Sequence, residues 1–300
     1  AIWYQFDFEK NELEEFNITI YSIENTVEFL GIVCDLIEIR NWEDQYSKMN
    51  ETNFIQTLEG MNNKLKEFNN KFRVGQDFLI DNRSLYSYKK WNQRYDNFND
   101  SLLHIYLSDY HLKIRALVEI IYSKSPKLKE EVNQNFFKYS RLSELEDPHS
   151  VYFVESIISL FDQFIVDYLV EGFKQLTDKQ LKDEIVNVND LLKEMISNYD
   201  NRKDVIFKNR ISDPTKDWYP EESKLNDSLV NIYFIKYHCI VRALIETLQS
   251  KSSKINKLIN GGNLAYIRLT EYELNNPTSV YMIKSIIDLL DIGEQITTAK

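Results

Sequence analysis

The chain carries one stretch of its own sequence twice. Residues 99–123, NDSLLHIYLSDYHLKIRALVEIIYS, and residues 226–250, NDSLVNIYFIKYHCIVRALIETLQS, agree at about half their positions without a gap, at a constant offset of 127. A repeat of this kind decides the architecture before any single residue does. The same offset carries Asn82-Arg83 onto Asn209-Arg210, Trp91 onto Trp218 and Ser123-Lys124-Ser125 onto Ser250-Lys251-Ser252. It also carries Tyr139, Arg141 and Glu144 onto Tyr266, Arg268 and Glu271. After a two-residue insertion, PHSVYFVESIISLFD (148–162) matches PTSVYMIKSIIDLLD (277–291), and TVEFLGIVCDLIE (26–38) resembles both.

Earlier in each copy the match is one of pattern. Phe54, Leu58, Met61, Leu65, Phe68 and Phe72 fall three and four residues apart, the apolar stripe of a helix. Leu181, Ile185, Val188, Leu192, Met195 and Tyr199 repeat that stripe at the same offset. Glycine (7) and proline (5) are scarce in 300 residues, so tight turns are few and long helices follow. The expected fold is therefore all-α, a tandem-duplicated array of two units of about 127 residues closed by a third copy of the first helix. Its divisions are an N-terminal segment 1–24, a first unit 25–148, a second unit 149–277 and a capping helix 278–300, packed as one continuous domain. Asn99-Asp100-Ser101 and Asn226-Asp227-Ser228 have the composition of helix N-caps, and Pro148 and Pro277 suit a first helical turn. Residues 76–98 and 202–222, with Pro214 and Pro220, read as irregular, and Gly261-Gly262 as a break.

The balance of 36 basic and 47 acidic residues gives a net charge of −11. That field opposes nucleic acid and anionic membranes and suits a basic protein partner, or serves solubility alone. No run approaches the roughly 20 apolar residues of a membrane span, and the first residues lack the basic and apolar regions of a secretory signal. Cys34 and Cys239 lie in apolar runs and read as small buried hydrophobes in a reducing, cytoplasmic setting.

Polar residues common to both copies are the candidate site. They are Tyr110, His111, Arg115 and Glu119, matched by Tyr237, His238, Arg242 and Glu246, with Arg141 and Arg268 nearby and Trp91 and Trp218 upstream. His111, Arg115 and Glu119 stand four residues apart, on one helical face bordered by Ile114, Leu117 and Val118. Read structurally, the set is a buried network that fixes which helices meet, and the tryptophans are core anchors. Read functionally, it forms two equivalent pockets, and the tryptophans are interface hot spots. No metal-ligand spacing, glycine-rich phosphate loop or nucleophile elbow accompanies these residues, and no cofactor or metal is expected. The expectation is a non-catalytic acidic helical protein that binds a basic protein partner, in one form an immunity-type protein neutralising a basic toxin or nuclease. An enzyme or small-ligand receptor using the Tyr/His/Arg/Glu set, and a scaffold that self-associates, are the alternatives.

Overall fold

A computed structural model describes residues 10–134, 137–262 and 264–298, and among them every regular element is helical. The first nine residues of the expected segment 1–24 lie outside the described residues. Twelve α-helices follow in order among the described residues: α1 (Lys10–Ser47), α2 (Glu51–Asp81), α3 (Tyr88–Asp109), α4 (His111–Lys124), α5 (Pro126–Asn133) and α6 (Phe153–Lys174). Then come α7 (Asp178–Ser212), α8 (Tyr219–Lys236), α9 (His238–Lys251), α10 (Ser253–Leu258), α11 (Glu271–Asn275) and α12 (Val280–Thr298).

Local chemistry sets several of these ends. The Asn50 side chain accepts from the Asn53 amide at 2.8 Å and opens α2. Thr177 and Gln180 form a reciprocal capping box at α7, and Thr270 and Glu273 do the same at α11. After α10, Asn260 turns left-handed (φ 67°), where an asparagine is tolerated, and the chain reverses through Gly261 and Gly262. A β-carbon on Gly261 would stand 2.9 Å from the Lys257 carbonyl oxygen, so the expected break needs glycine there.

Several expected boundaries are corrected. The stretch 99–123 is not one helix: it breaks after Tyr110, and its counterpart breaks after Tyr237. Both tyrosines leave helical geometry in the same way, at φ −125° and −123°, and α8 and α9 meet at a 68° bend. Neither break contains Pro or Gly, the usual signals. Asn99-Asp100-Ser101 and Asn226-Asp227-Ser228 lie inside α3 and α8, so they do not cap those helices; Asn226 instead accepts from the Val280 amide at the start of α12, at 3.1 Å. Most of 76–98 and of 202–222 is helical, because the charges and aromatics there are the exposed sides of α2, α3, α7 and α8. Pro148 and Pro277 precede the first turns of α6 and α12.

The apolar stripes pack as their spacing requires. Phe54, Leu58, Leu65, Phe68 and Phe72 are buried along α2, and Leu181, Ile185, Val188, Leu192, Met195 and Tyr199 along α7. Two hydrophobic clusters result, one running from Ile39 to Ile165 and the other from Val166 to Leu290. Helix α6 belongs to both: its first half, Phe153 to Ile165, fills the first cluster, and Val166, Val170 and Phe173 enter the second. It packs on α2 on one side and on α9 on the other, while α1 packs on α4 and α12 on α7. Among the described residues no single helix is long and apolar enough to cross a membrane.

Candidate functional site

The residues singled out by the sequence do not converge on a cleft. His111 and His238 begin α4 and α9 and are both buried, each edge-on to a buried tyrosine ring, Tyr106 at 5.9 Å and Tyr233 at 5.8 Å between centroids. Arg242 is buried and donates to Gln163 at 3.0 Å and Glu246 at 3.4 Å. Arg115 is half-buried and Glu119 is exposed on α4. Arg141 reaches Ser150 and Glu144 and lies over the Tyr152 ring at 4.9 Å; Arg268 caps the Asn260 carbonyl. Tyr110 packs edge-on against Phe68, whereas Tyr237 lines a shallow groove of about 290 Å³ between α7 and α8, with Met195, Tyr199, Arg202 and Ile232. Trp218 is buried and donates to the Asp213 carbonyl at 2.9 Å; Trp91 is half-buried, donates to Leu79 at 3.2 Å and stacks on Tyr95.

The strongest polar constellation lies elsewhere. Where α2, α6, α8 and α9 meet, the Asp162 carboxylate receives Asn62 at 2.6 Å, Lys66 at 2.7 Å and the Cys239 thiol at 3.0 Å, all on Oδ1. Lys66 also donates to the Phe234 carbonyl at 3.0 Å, and His238 Nε2 stands 4.0 Å from Asp162 Oδ2. Lys66 and Asp162 are both almost fully enclosed. Burial alone would neutralise each, but the partner's charge prevails: it raises the Lys66 pKa and, with His238, lowers that of Asp162. Burial pushes the Cys239 thiol well up, which keeps it protonated and removes it as a nucleophile. Burial also drives His238 down to about 3 despite Asp162, so the imidazole is neutral at pH 7. The cluster is a tie between helices in which Lys66, Asp162 and His238 are buried and Cys239 is half-buried.

A second constellation repeats this geometry at the far end. Asn189 and Lys193 of α7 donate to Asp291 of α12 at 2.6 and 2.7 Å. Seven residues from each of these charges, Arg73 pairs with Glu155 at 2.8 Å and Asp200 pairs with Lys284 at 2.9 Å, with the signs exchanged. Ten residues away, Gln76 donates to Tyr152 at 2.5 Å and Lys203 to Tyr281 at 3.3 Å. The α2–α6 and α7–α12 contacts are thus antiparallel pairs in one register. They differ in cover: Lys193 and Asp291 remain 46% and 40% exposed, whereas Lys66 and Asp162 are enclosed where α8 and α9 meet α2 and α6.

The sequence reading missed Asn62, Lys66 and Asp162. The signal was present, since the offset of 127 also carries Asn62 onto Asn189 and Lys66 onto Lys193, and the matched helices end on Asp162 and Asp291. Cys34 is exposed, contrary to the expectation of a buried hydrophobe, because it sits on a stretch of α1, from Val27 to Glu38, in which every residue but Val33 is exposed. Among the described residues no three His, Cys, Asp or Glu side chains gather as metal ligands.

The buried imidazole makes a titration prediction. Because the folded His238 pKa lies below the ordinary value of 6.5, the unfolded chain takes up a proton first as pH falls. The stability this group contributes is complete above about pH 6.5 and is lost towards pH 3, on the order of 4 kcal/mol in all. Asp162, held below its usual value, adds a loss in the carboxylate range. Urea midpoints measured from pH 7.5 to 4.5 fall in the parent, and His238→Phe flattens that slope. Equal slopes would show that another group governs it.

No family model, curated protein or solved structure matches this chain.

Proposed function

We propose that the chain is a non-catalytic, acidic, duplicated helical array that binds a protein partner. The observation that carries this reading is the disposition of the polar residues common to the two halves. His111, His238, Arg242 and Trp218 are buried among helices, and the Asp162 cluster is closed by its own donors, so these groups hold helices together. Groups of exposed apolar side chains lie instead at three places among the described residues. One is the middle of α1, with Val27, Phe29, Leu30, Ile32, Leu36 and Ile37. The others are the last turns of α2, with Phe78, Ile80 and, just beyond it, Leu85, and the last turns of α7, with Val205, Phe207 and Ile211. Contiguous exposed apolar surface is the usual mark of a protein-binding face.

Duplication is supported by the equal register of the α2–α6 and α7–α12 pairs and by α4 and α9 each starting at a Tyr-His break. The net charge of −11 favours a basic partner, and neutralisation of a basic toxin or nuclease is one form of that role. Co-purification with the products of neighbouring genes tests the reading. A basic partner is retained at moderate salt and released as salt is raised, since screening weakens charge attraction. Failure to hold any basic partner at moderate salt refutes it. The groove beside Tyr237 favours a second reading, a small-ligand receptor, in which Tyr237→Ala abolishes binding of a small molecule and leaves protein partners unaffected.

A further inference from the structure

The exposed stretch of α1 from Val27 to Glu38 corresponds, position by position, to surfaces that are covered elsewhere in the same chain. The matched segments align Val27, Leu30, Val33, Leu36 and Ile37 with Val151, Val154, Ile157, Leu160 and Phe161 of the α6 region, and with Val280, Ile283, Ile286, Leu289 and Leu290 of α12. In those two places these side chains are buried, against α2 and its neighbours in one case and α7 and its neighbours in the other. In α1 four of the five are exposed. The alignment also places Glu38 where Asp162 and Asp291 receive an asparagine and a lysine.

We propose that the face of α1 formed by Val27, Leu30, Leu36 and Ile37 docks an amphipathic helix of a partner protein built on the pattern of α2 and α7. That helix carries apolar residues three and four apart and, on its edge, an asparagine and a lysine four residues apart that reach Glu38. The inference rests on the protein-binding reading above and names the partner's chemistry. Three features of the chain select this occupant. A second copy has no helix of this pattern to spare, because α6 already covers α2 and α12 already covers α7. Pairing α1 with another α1 would bring Glu28, Asp35 and Glu38 towards their own kind. Residues 1–9, AIWYQFDFE, are apolar and acidic and contain no lysine to meet Glu38.

The test uses a fluorescently labelled synthetic peptide of residues 51–81 titrated with the full chain. Saturable binding is expected, weakened at least tenfold by Leu30→Asp. Glu38→Lys weakens it about tenfold, and a peptide carrying Lys66→Glu restores it. The α1 substitutions fall on exposed side chains, so unchanged circular dichroism and melting confirm that the fold is intact. Three results would overturn the proposal. One is no binding, or binding indifferent to the α1 substitutions, which would place the peptide on α6 or α12. Another is a stable dimer in sedimentation that Leu30→Asp dissociates, which makes a second copy the occupant. The third is a tenfold gain in peptide affinity when Trp3, Tyr4, Phe6 and Phe8 are replaced by Ser, which makes the chain's own first residues the cover. None of these touches the salt-dependent capture of a basic partner, which stands or falls separately.

Discussion

Asp162→Asn lowers the stability of the chain by about 3–5 kcal/mol at pH 7, whereas Asp291→Asn costs about 1 kcal/mol or less. Both carboxylates accept from an asparagine and a lysine at nearly the same distances. What differs is water. At Asp162 the change leaves the Lys66 ammonium enclosed among α2, α6 and α8 with no counter-charge, and removing one partner of a buried pair is the costly case. At Asp291 the ammonium of Lys193 is already half in solvent and simply hydrates. Urea denaturation followed by circular dichroism measures both. A double substitution, Asp162→Asn with Lys66→Met, recovers most of the loss, since an apolar replacement of a buried ion pair is often neutral. Equal costs at Asp162 and Asp291 would mean that the enclosure of the first pair has no energetic weight.

Ile283→Asp abolishes the packing of α12 and costs more than about 4 kcal/mol, while Leu30→Asp, at the aligned position of α1, changes stability by about 0.5 kcal/mol or less. Ile283 is fully buried against the second hydrophobic cluster, and a carboxylate there has no partner and no water. Leu30 is 54% exposed, so the same carboxylate projects into solvent. With α12 displaced, the stripe of α7 from Leu181 to Tyr199 is uncovered, and aggregation or dye binding to exposed apolar surface accompanies the loss. Thermal melts of the two variants side by side decide the matter, and a large loss at Leu30 would place that side chain inside a packed core.

The helical class was legible because two independent signals agreed. Few glycines and prolines leave long segments uninterrupted, and the stripes at Phe54 to Phe72 and Leu181 to Tyr199 fall on one face of a helix and are indeed almost wholly buried. Boundaries were less legible where the usual punctuation is missing. The breaks at Tyr110 and Tyr237 contain no Pro or Gly, and Asn99-Asp100-Ser101 has cap chemistry in the middle of a helix whose ends are set elsewhere. The charged and aromatic stretches 76–98 and 202–222 resemble loops in composition, yet composition there reflects solvent around a projecting helix. The polar tie at Asp162 was hidden for a different reason. Asn62, Lys66 and Cys239 are brought to it from other helices, and contacts across a hundred residues leave no local spacing to read. His111 and His238 were visible as a pair, but their burial beneath Tyr106 and Tyr233 depends on the turn that the sequence did not announce.

The exchanged charges seven residues from the two lysine–aspartate ties bear on how a chain with two similar helix pairs assembles each with its proper mate. Docking α12 on α2 in the same register would set Lys284 against Arg73, and docking α6 on α7 would set Glu155 against Asp200. Each wrong pairing replaces an attraction by a repulsion, while the apolar stripes would accept either helix. The two ion pairs thus act as an address written in sign, and they make the crossed arrangement the less favourable of two otherwise interchangeable ways to close the chain.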